Sequence, residues 1–193
     1  MPTELPLSDE LVREFVIAGH GDFPRLKAML AEHPTLLNAA YAWSETDHET
    51  ALQGAAQLGL APIAEFLLAR GAPLELCTAA FLGRSADVER FLDEDPAAIR
   101  AVGAHGIPLL PHAVWSGSLE LVQRLVQRGA LEGSSMALEN AISSRQPEMV
   151  RWLVENTHPD LGWKNYLGKT ALEQAQNLKD GPMIEILSAA QKT

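Results

Sequence analysis

Clusters of alanine and leucine recur along this chain at similar distances from a glycine or a proline, while the alternating Val/Ile/Thr runs of strands are nearly absent. The segment Thr50-Ala51-Leu52-Gln53-Gly54-Ala55-Ala56 returns in outline at Thr170-Ala171-Leu172-Glu173-Gln174-Ala175, and Gly71-Ala72 is echoed by Gly129-Ala130. Anchored on these landmarks, six units start at Val12, Thr50, Leu74, Pro108, Ser135 and Thr170. Twelve residues after the start stands a proline in four of them: Pro24, Pro62, Pro147 and Pro182. Proline suits the first turn of a helix, where its missing N–H has no partner to lose, so a second helix is predicted to begin there in every unit. Its buried face reads Met29-Leu30, Leu67-Leu68, Phe91-Leu92, Leu125-Val126 and Trp152-Leu153, with Leu187 in the last unit. These helices are expected to end at His33, Gly71, Asp95, Gly129 and Asn156, with Gly and Asn suited to the left-handed conformation. The first helix of each unit carries small residues (Ala55-Ala56, Ala79-Ala80, Ala113, Ala141, Ala175) that let neighbouring helices approach closely. Gly21, Gly59, Gly83 and Gly117 stop it and turn the chain.

The unit starts lie 38, 24, 34, 27 and 35 residues apart. The shortest spacing is about what two short helices and a turn require, and the longer ones add roughly ten residues, enough for a protruding β-hairpin finger. Fingers are expected near 38–49, 100–107 and 159–169, with tight links near 70–74 and 130–134.

Helix–turn–helix units with Thr-Pro-Leu-His-like starts, a central glycine and a Gly-Ala ending resemble ankyrin repeats, although no unit has the full Thr-Pro-Leu-His and those at Leu74 and Ser135 are short. The likeness covers about residues 12 to 190. It is carried best by Thr50-Ala51-Leu52, Gly59, Leu67-Leu68 and Gly71-Ala72, then by Gly117, Leu125, Gly129-Ala130 and the Gly168-Lys169-Thr170-Ala171-Leu172 run. The tract His105-Gly106-Ile107-Pro108-Leu109-Leu110-Pro111-His112-Ala113 is similar to one in stand-alone bacterial ankyrin proteins. The resemblance implies one all-α domain over 1–193, an ankyrin-repeat solenoid of about six helix–turn–helix units with a few β-hairpin fingers. Its first and last units act as caps, with Ser8 as the N-cap of the first helix. The family's usual work is protein–protein interaction through a concave groove made of finger tips and first helices, without chemistry of its own.

Fifteen Lys/Arg against twenty-five Asp/Glu give a formal charge of −10. Residues 1–96 hold six basic and sixteen acidic side chains, and residues 97–193 nine of each, so the net charge resides in the first half. Such a surface repels phosphate backbones, which argues against nucleic acid as partner and toward a protein with a basic surface. Met1 to Asp9 is acidic and broken by Pro2 and Pro6, unlike a secretory leader. No stretch approaches the roughly 18 apolar residues of a membrane span, so a cytoplasmic location away from membranes is expected. The single Cys77 leaves no internal disulfide and no cysteine-based metal cage.

Several short motifs invite a chemical reading. Gly168-Lys169-Thr170 lacks the phosphate loop's earlier glycine, since Trp163 stands in its place. Asp93-Glu94-Asp95 is too short for a calcium loop, and Trp115-Ser116-Gly117 lacks the frame of a nucleophile elbow. His105 and His112 are seven apart, with His20, His33, His48 and His158 scattered, so no converging metal set is expected and stability should not depend on metal. No cofactor and no catalytic set are expected either. The more informative signal lies seven and eight residues after each start: Gln57-Leu58, Phe81-Leu82, Trp115-Ser116, Ile142-Ser143 and Asn177-Leu178. On an open groove face, Phe81, Leu82, Trp115 and Ile142 would form an apolar stripe suited to a partner. Finger residues complete the expected surface: Glu45, Asp47 and Glu49 as a projecting acidic tip that steers a basic partner, His105 and Ile107 in the second finger, and Tyr166, Leu167 and Lys169 in the third. The alternatives left open are a small-ligand pocket or minor enzyme site between His105, His112 and Trp115, and pairing of the chain with itself.

Overall fold

The computed structural model describes residues 7–192; the reading of Pro2 and Pro6 falls outside them. Twelve α-helices are present among the described residues: α1 (Asp9–Gly19), α2 (Phe23–Glu32), α3 (Ala51–Gln57), α4 (Ala61–Leu68), α5 (Leu76–Phe81), α6 (Ser85–Glu94), α7 (Leu109–Trp115), α8 (Leu119–Gln127), α9 (Ser134–Ser143), α10 (Pro147–Thr157), α11 (Ala171–Asn177) and α12 (Gly181–Ala190). Between α2 and α3 run the short strands β1 (Ala40–Ala42) and β2 (His48–Thr50). Short 3-10 segments occupy Pro34–Asn38, Pro96–Arg100 and Ala104–Gly106.

Local chemistry sets the helix starts. Thr50 accepts from the Gln53 amide at 3.2 Å while the Gln53 side chain accepts from the Thr50 N–H at 2.9 Å, a reciprocal cap. Thr170 and Glu173 repeat it at the head of α11. Ser8 caps α1 through the Leu11 amide. Pro24, Pro62, Pro147 and Pro182 all lie in the first turn of their helices. Of the expected unit starts, Thr50, Pro108 and Thr170 each stand immediately before a helix, Leu74 lies one residue ahead of the α5 cap, and Val12 and Ser135 fall inside α1 and α9.

Consecutive helices pair, α1 with α2 through to α11 with α12, and the odd-numbered helices contact one another in succession. Small residues permit this approach: Ala51, Ala55, Ala79, Ala80, Ala113, Ala141 and Ala175 are wholly buried. At Gly19 a Cβ would lie 2.6 Å from the Ala51 carbonyl oxygen, so α1 and α3 touch backbone to backbone. The even-numbered helices are linked by the Phe23–Phe66 edge contact and by ion pairs Glu65–Arg84 and Glu89–Arg128. Helix α5, six residues long and buried throughout, is too short to persist alone and owes its form to its neighbours.

The linkers differ from the expected pattern. One two-stranded hairpin exists among the described residues, β1 antiparallel to β2 with Tyr41 opposite Glu49. Near 100–107 the 3-10 segment Ala104–Gly106 forms the bend, flanked by a single Val102–Pro108 bridge. Near 159–169 the chain forms turns rather than strands. The links at 70–74 and 130–133 carry no strand. His33 and Asp95 end their helices in extended rather than left-handed geometry, because each leads straight into a 3-10 segment. Asn156 stays helical, and His158 takes the left-handed position with φ 48°. No helix among the described residues is long and apolar enough to cross a membrane.

Candidate functional site

Strand alternation puts Tyr41, Trp43, Asp47 and Glu49 on one face of the hairpin and His48 on the other. That face meets the hook at Ala104–Gly106, where His105 (φ 57°) and Gly106 (φ 68°) are both left-handed. The conformation is costly for histidine and is held by two bonds to one carboxylate. The His105 backbone N–H donates to Asp47 Oδ1 at 3.1 Å, and its ring Nδ1 donates to Asp47 Oδ2 at 2.6 Å. His105 beside it keeps the Asp47 carboxyl below its ordinary pKa. The tip therefore folds back against the next loop. Glu45 alone of the three expected steering carboxylates remains an exposed tip residue.

Glu49 is fully buried, which overturns its reading as a projecting charge. Its carboxylate accepts from Trp43 Nε1 at 2.7 Å and from Gln57 Nε2 at 3.1 Å, and it lies 3.1 Å from His20 Nε2 and 3.4 Å from His105 Nε2. Removing a carboxylate from water is costly unless donors surround it, and Trp43 and Gln57 supply them here, with two imidazoles alongside. His20 is anchored from behind, its Nδ1 donating to the Val16 carbonyl at 2.9 Å, and Gln57 Nε2 stands 2.7 Å from its Nε2. The hydrogen bond to Glu49 raises the His20 pKa, against the opposing effect of burial. Gly54 makes room, since a Cβ there would lie 2.8 Å from His20 Cε1. Contrary to the sequence expectation that no ligand set converges, His20, Glu49 and His105 bring ligand-type atoms within 4.8 Å of one another. The sequence carries no local signal of this, because the three residues come from the end of α1, from β2 and from a loop more than fifty residues on.

The expected groove stripe is largely closed. Phe81 and Ile142 are core residues, 3 % and 0 % exposed. Trp115 is half-buried, with its Nε1 donating to the Gln57 carbonyl at 3.1 Å and its ring lying over Gly59. Gln57 is bound into the Glu49 cage, Leu82 is half-buried, and Ser116 donates to the Ala113 carbonyl at 2.6 Å. Leu58 and Ser143 remain exposed, while Ile107 and Lys169 are half-buried. Phe81 and Trp115 pack back onto the preceding units, Phe81 into the core of α1 to α4 and Trp115 over the turn that follows α3.

The alternative pocket also dissolves. His112 is buried, with Nδ1 3.4 Å from the Ala56 carbonyl and its ring against Gly103, whereas His105 faces the hairpin and Trp115 covers Gly59. Burial pushes the His112 pKa down to about 4, so the ring is neutral near pH 7. An open cleft of about 500 Å³ lies instead between α10 and α12 beside Arg151, His158 and Ile186.

Exposed apolar side chains gather elsewhere. Trp43, Val102, Leu131, Tyr166 and Leu167 are all exposed, Tyr166 at 93 %. All five sit in segments that lead from an even-numbered helix into the next odd-numbered one, whereas Ile17 and Leu58, also exposed, do not. Asn165 props the last of these: it is buried, its Oδ1 accepts from the Leu167 and Lys169 amides at 2.9 and 3.1 Å, and its Nδ2 donates to Glu139 at 2.9 Å. Burial raises the Glu139 pKa, partly countered by Asn165.

No protein-family model and no curated protein matches the chain. Among solved structures, the chain is similar to one chain of a predatory endopeptidase from Bdellovibrio bacteriovorus in complex with an immunity protein. The identity is 23 % over 91 % of this chain and 96 % of that one, with a TM-score of 0.47.

Proposed function

We propose that the chain is an ankyrin-repeat solenoid that binds a protein partner along the edge formed by the segments ahead of its odd-numbered helices. The carrying observation is the placement of Trp43, Val102, Leu131, Tyr166 and Leu167, five exposed large apolar side chains on four of the five linkers that lead into odd-numbered helices. Exposed apolar side chains recurring along one edge mark an interaction surface, and aromatic residues are the usual anchors. Pairing of each helix with the next and contact between successive odd-numbered helices support the repeat reading. The acidic first half favours a partner with a basic surface and acts mainly on association rate.

Affinity capture from native cytosol, followed by mass spectrometry and light scattering, tests the reading. A specific protein should be retained by the wild-type chain and lost, with at least tenfold weaker binding expected as an order of magnitude, from a Tyr166→Ala, Leu167→Ala, Val102→Ala triple variant. Capture unaffected by that variant would move the interface to the even-numbered helices. A mass of two chains without a partner would assign the edge to self-association.

A further inference from the structure

We propose that His20, Glu49 and His105 bind one divalent transition-metal ion of the zinc type, tying the end of α1, the hairpin and the Ala104–Gly106 hook together. The orientation of the imidazoles carries the inference. Each has its Nδ1 directed at an acceptor, His20 at the Val16 carbonyl and His105 at Asp47, so both Nε2 atoms are turned toward the same carboxylate. Second-sphere acceptors on one ring nitrogen, with the other nitrogen left to the ion, are the usual way metal-binding histidines are held. Gln57 Nε2 stands 2.7 Å from His20 Nε2 and 3.1 Å from Glu49 Oε1, so its amide must turn aside for an ion to take the His20 lone pair. With both Nδ1 atoms protonated and both Nε2 atoms bare, the two lone pairs and the carboxylate converge on one point that a cation would hold.

The spacing suits such an ion. Bonds of about 2.0–2.1 Å in a tetrahedral site place neighbouring ligand atoms roughly 3.3 Å apart. Here His20 Nε2 lies 3.1 Å from Glu49 Oε1 and His105 Nε2 lies 3.4 Å from Oε2, so an ion held by both oxygens meets both rings, and one ligand atom from each residue lies within 4.8 Å of the others. Two imidazoles and one carboxylate favour zinc, cobalt or nickel over magnesium or calcium, which prefer oxygen alone. Trp43 roofs the site, with its Nε1 on Glu49 and its ring 6.1 Å from that of His105, while the exposed edge of His105 leaves an approach from solvent. Three protein ligands leave a fourth position for water or another donor.

The test uses the full-length, tag-free chain, stripped with chelator and dialysed into metal-free buffer, titrated calorimetrically with zinc chloride and separately with cobalt(II). One equivalent of zinc should bind, the thermal midpoint should rise with zinc concentration, and cobalt should give the visible bands of a four- or five-coordinate ion and quench tryptophan fluorescence. His105→Ala, at an exposed position, should abolish saturable binding. Asp47→Asn, which only orients His105, should weaken it by about 10–100-fold. His48→Ala and His158→Ala, outside the cluster, should bind as wild type. Absence of one-equivalent binding in the wild-type chain overturns the proposal, as does binding that survives His105→Ala. In that case the cluster is a protonated histidine–carboxylate pair. The partner-binding reading is tested by other residues and stands or falls separately.

Discussion

Lys179 and Arg145 hold left-handed conformations, with φ of 54° and 55°, at the turn where Gly59, Gly83 and Gly117 serve the earlier pairs. A side chain there strains the backbone, and glycine relieves it. Lys179 is exposed, so Lys179→Gly should stabilise the fold by up to about 1 kcal/mol, read as a rise of roughly 2–4 °C in Tm. Gly59→Ala should do the opposite: at φ 70° its Cβ would come within 2.7 Å of the Trp115 ring, and a loss of about 2 kcal/mol in a denaturant titration is expected. His112 gives a pH dependence of known sign. Its folded pKa of about 4 lies below the ordinary 6.5, so the unfolded chain takes up the proton first. Its contribution is complete above pH 6.5 and falls away as pH drops toward 4, by about 3 kcal/mol across that window. In His112→Gln the stability-versus-pH slope between those values should flatten; an unchanged slope would assign it to the carboxylates.

At the scale of elements, the linkers before the odd-numbered helices are built in three different ways. The first is a hairpin because 38–49 holds enough residues for two strands and a tip. The second is a hook because fewer residues separate its leading 3-10 segment from the next helix, 101–108 against 39–50 in the first, and Pro108 has no N–H for a ladder. In the third, Asn165 gathers the turn around its own side chain, as short amides do where they can bond the backbone two residues on. Asn165→Ala should therefore cost about 2 kcal/mol and act locally, freeing the 165–169 amides to exchange. It should also raise the Glu139 pKa further, since its amide donor to that half-buried carboxyl is lost. An NMR titration showing Glu139 unmoved would mean that solvent replaces the donor.

Across the whole molecule the buried residues fall into two clusters that meet at α5: Phe81 joins the N-terminal one, and Leu76, Cys77, Ala79 and Ala80 the C-terminal one. If stability is a sum of neighbour contacts, as the repeat reading requires, damage to one cluster should stay within it. Ile142→Ala, at a fully buried position of α9, should remove about 2–4 kcal/mol. Native-state hydrogen exchange should show that loss in α7, α9 and α11, with α1 and α3 retaining most of their protection. Equal loss everywhere would reveal a single cooperative core.

Helix starts were legible in the chain itself because they rest on local chemistry: Thr50 and Thr170 cap through residues three places on, and four prolines mark first turns. The small-residue positions were legible for the same reason, since a periodic close approach demands them at fixed intervals. Glu45, Asp47 and Glu49 look alike as neighbours in sequence, yet one is an exposed tip residue, one is tied to His105 and one is sealed inside a cage. Likewise Phe81 and Ile142 read as open groove positions but are core. Such fates depend on which distant segment arrives alongside, through pleat direction, linker length and the tilt of one helix pair on the next. The pattern of residues along the chain determined the helices, and only their packing decided that His20, Glu49 and His105 would meet.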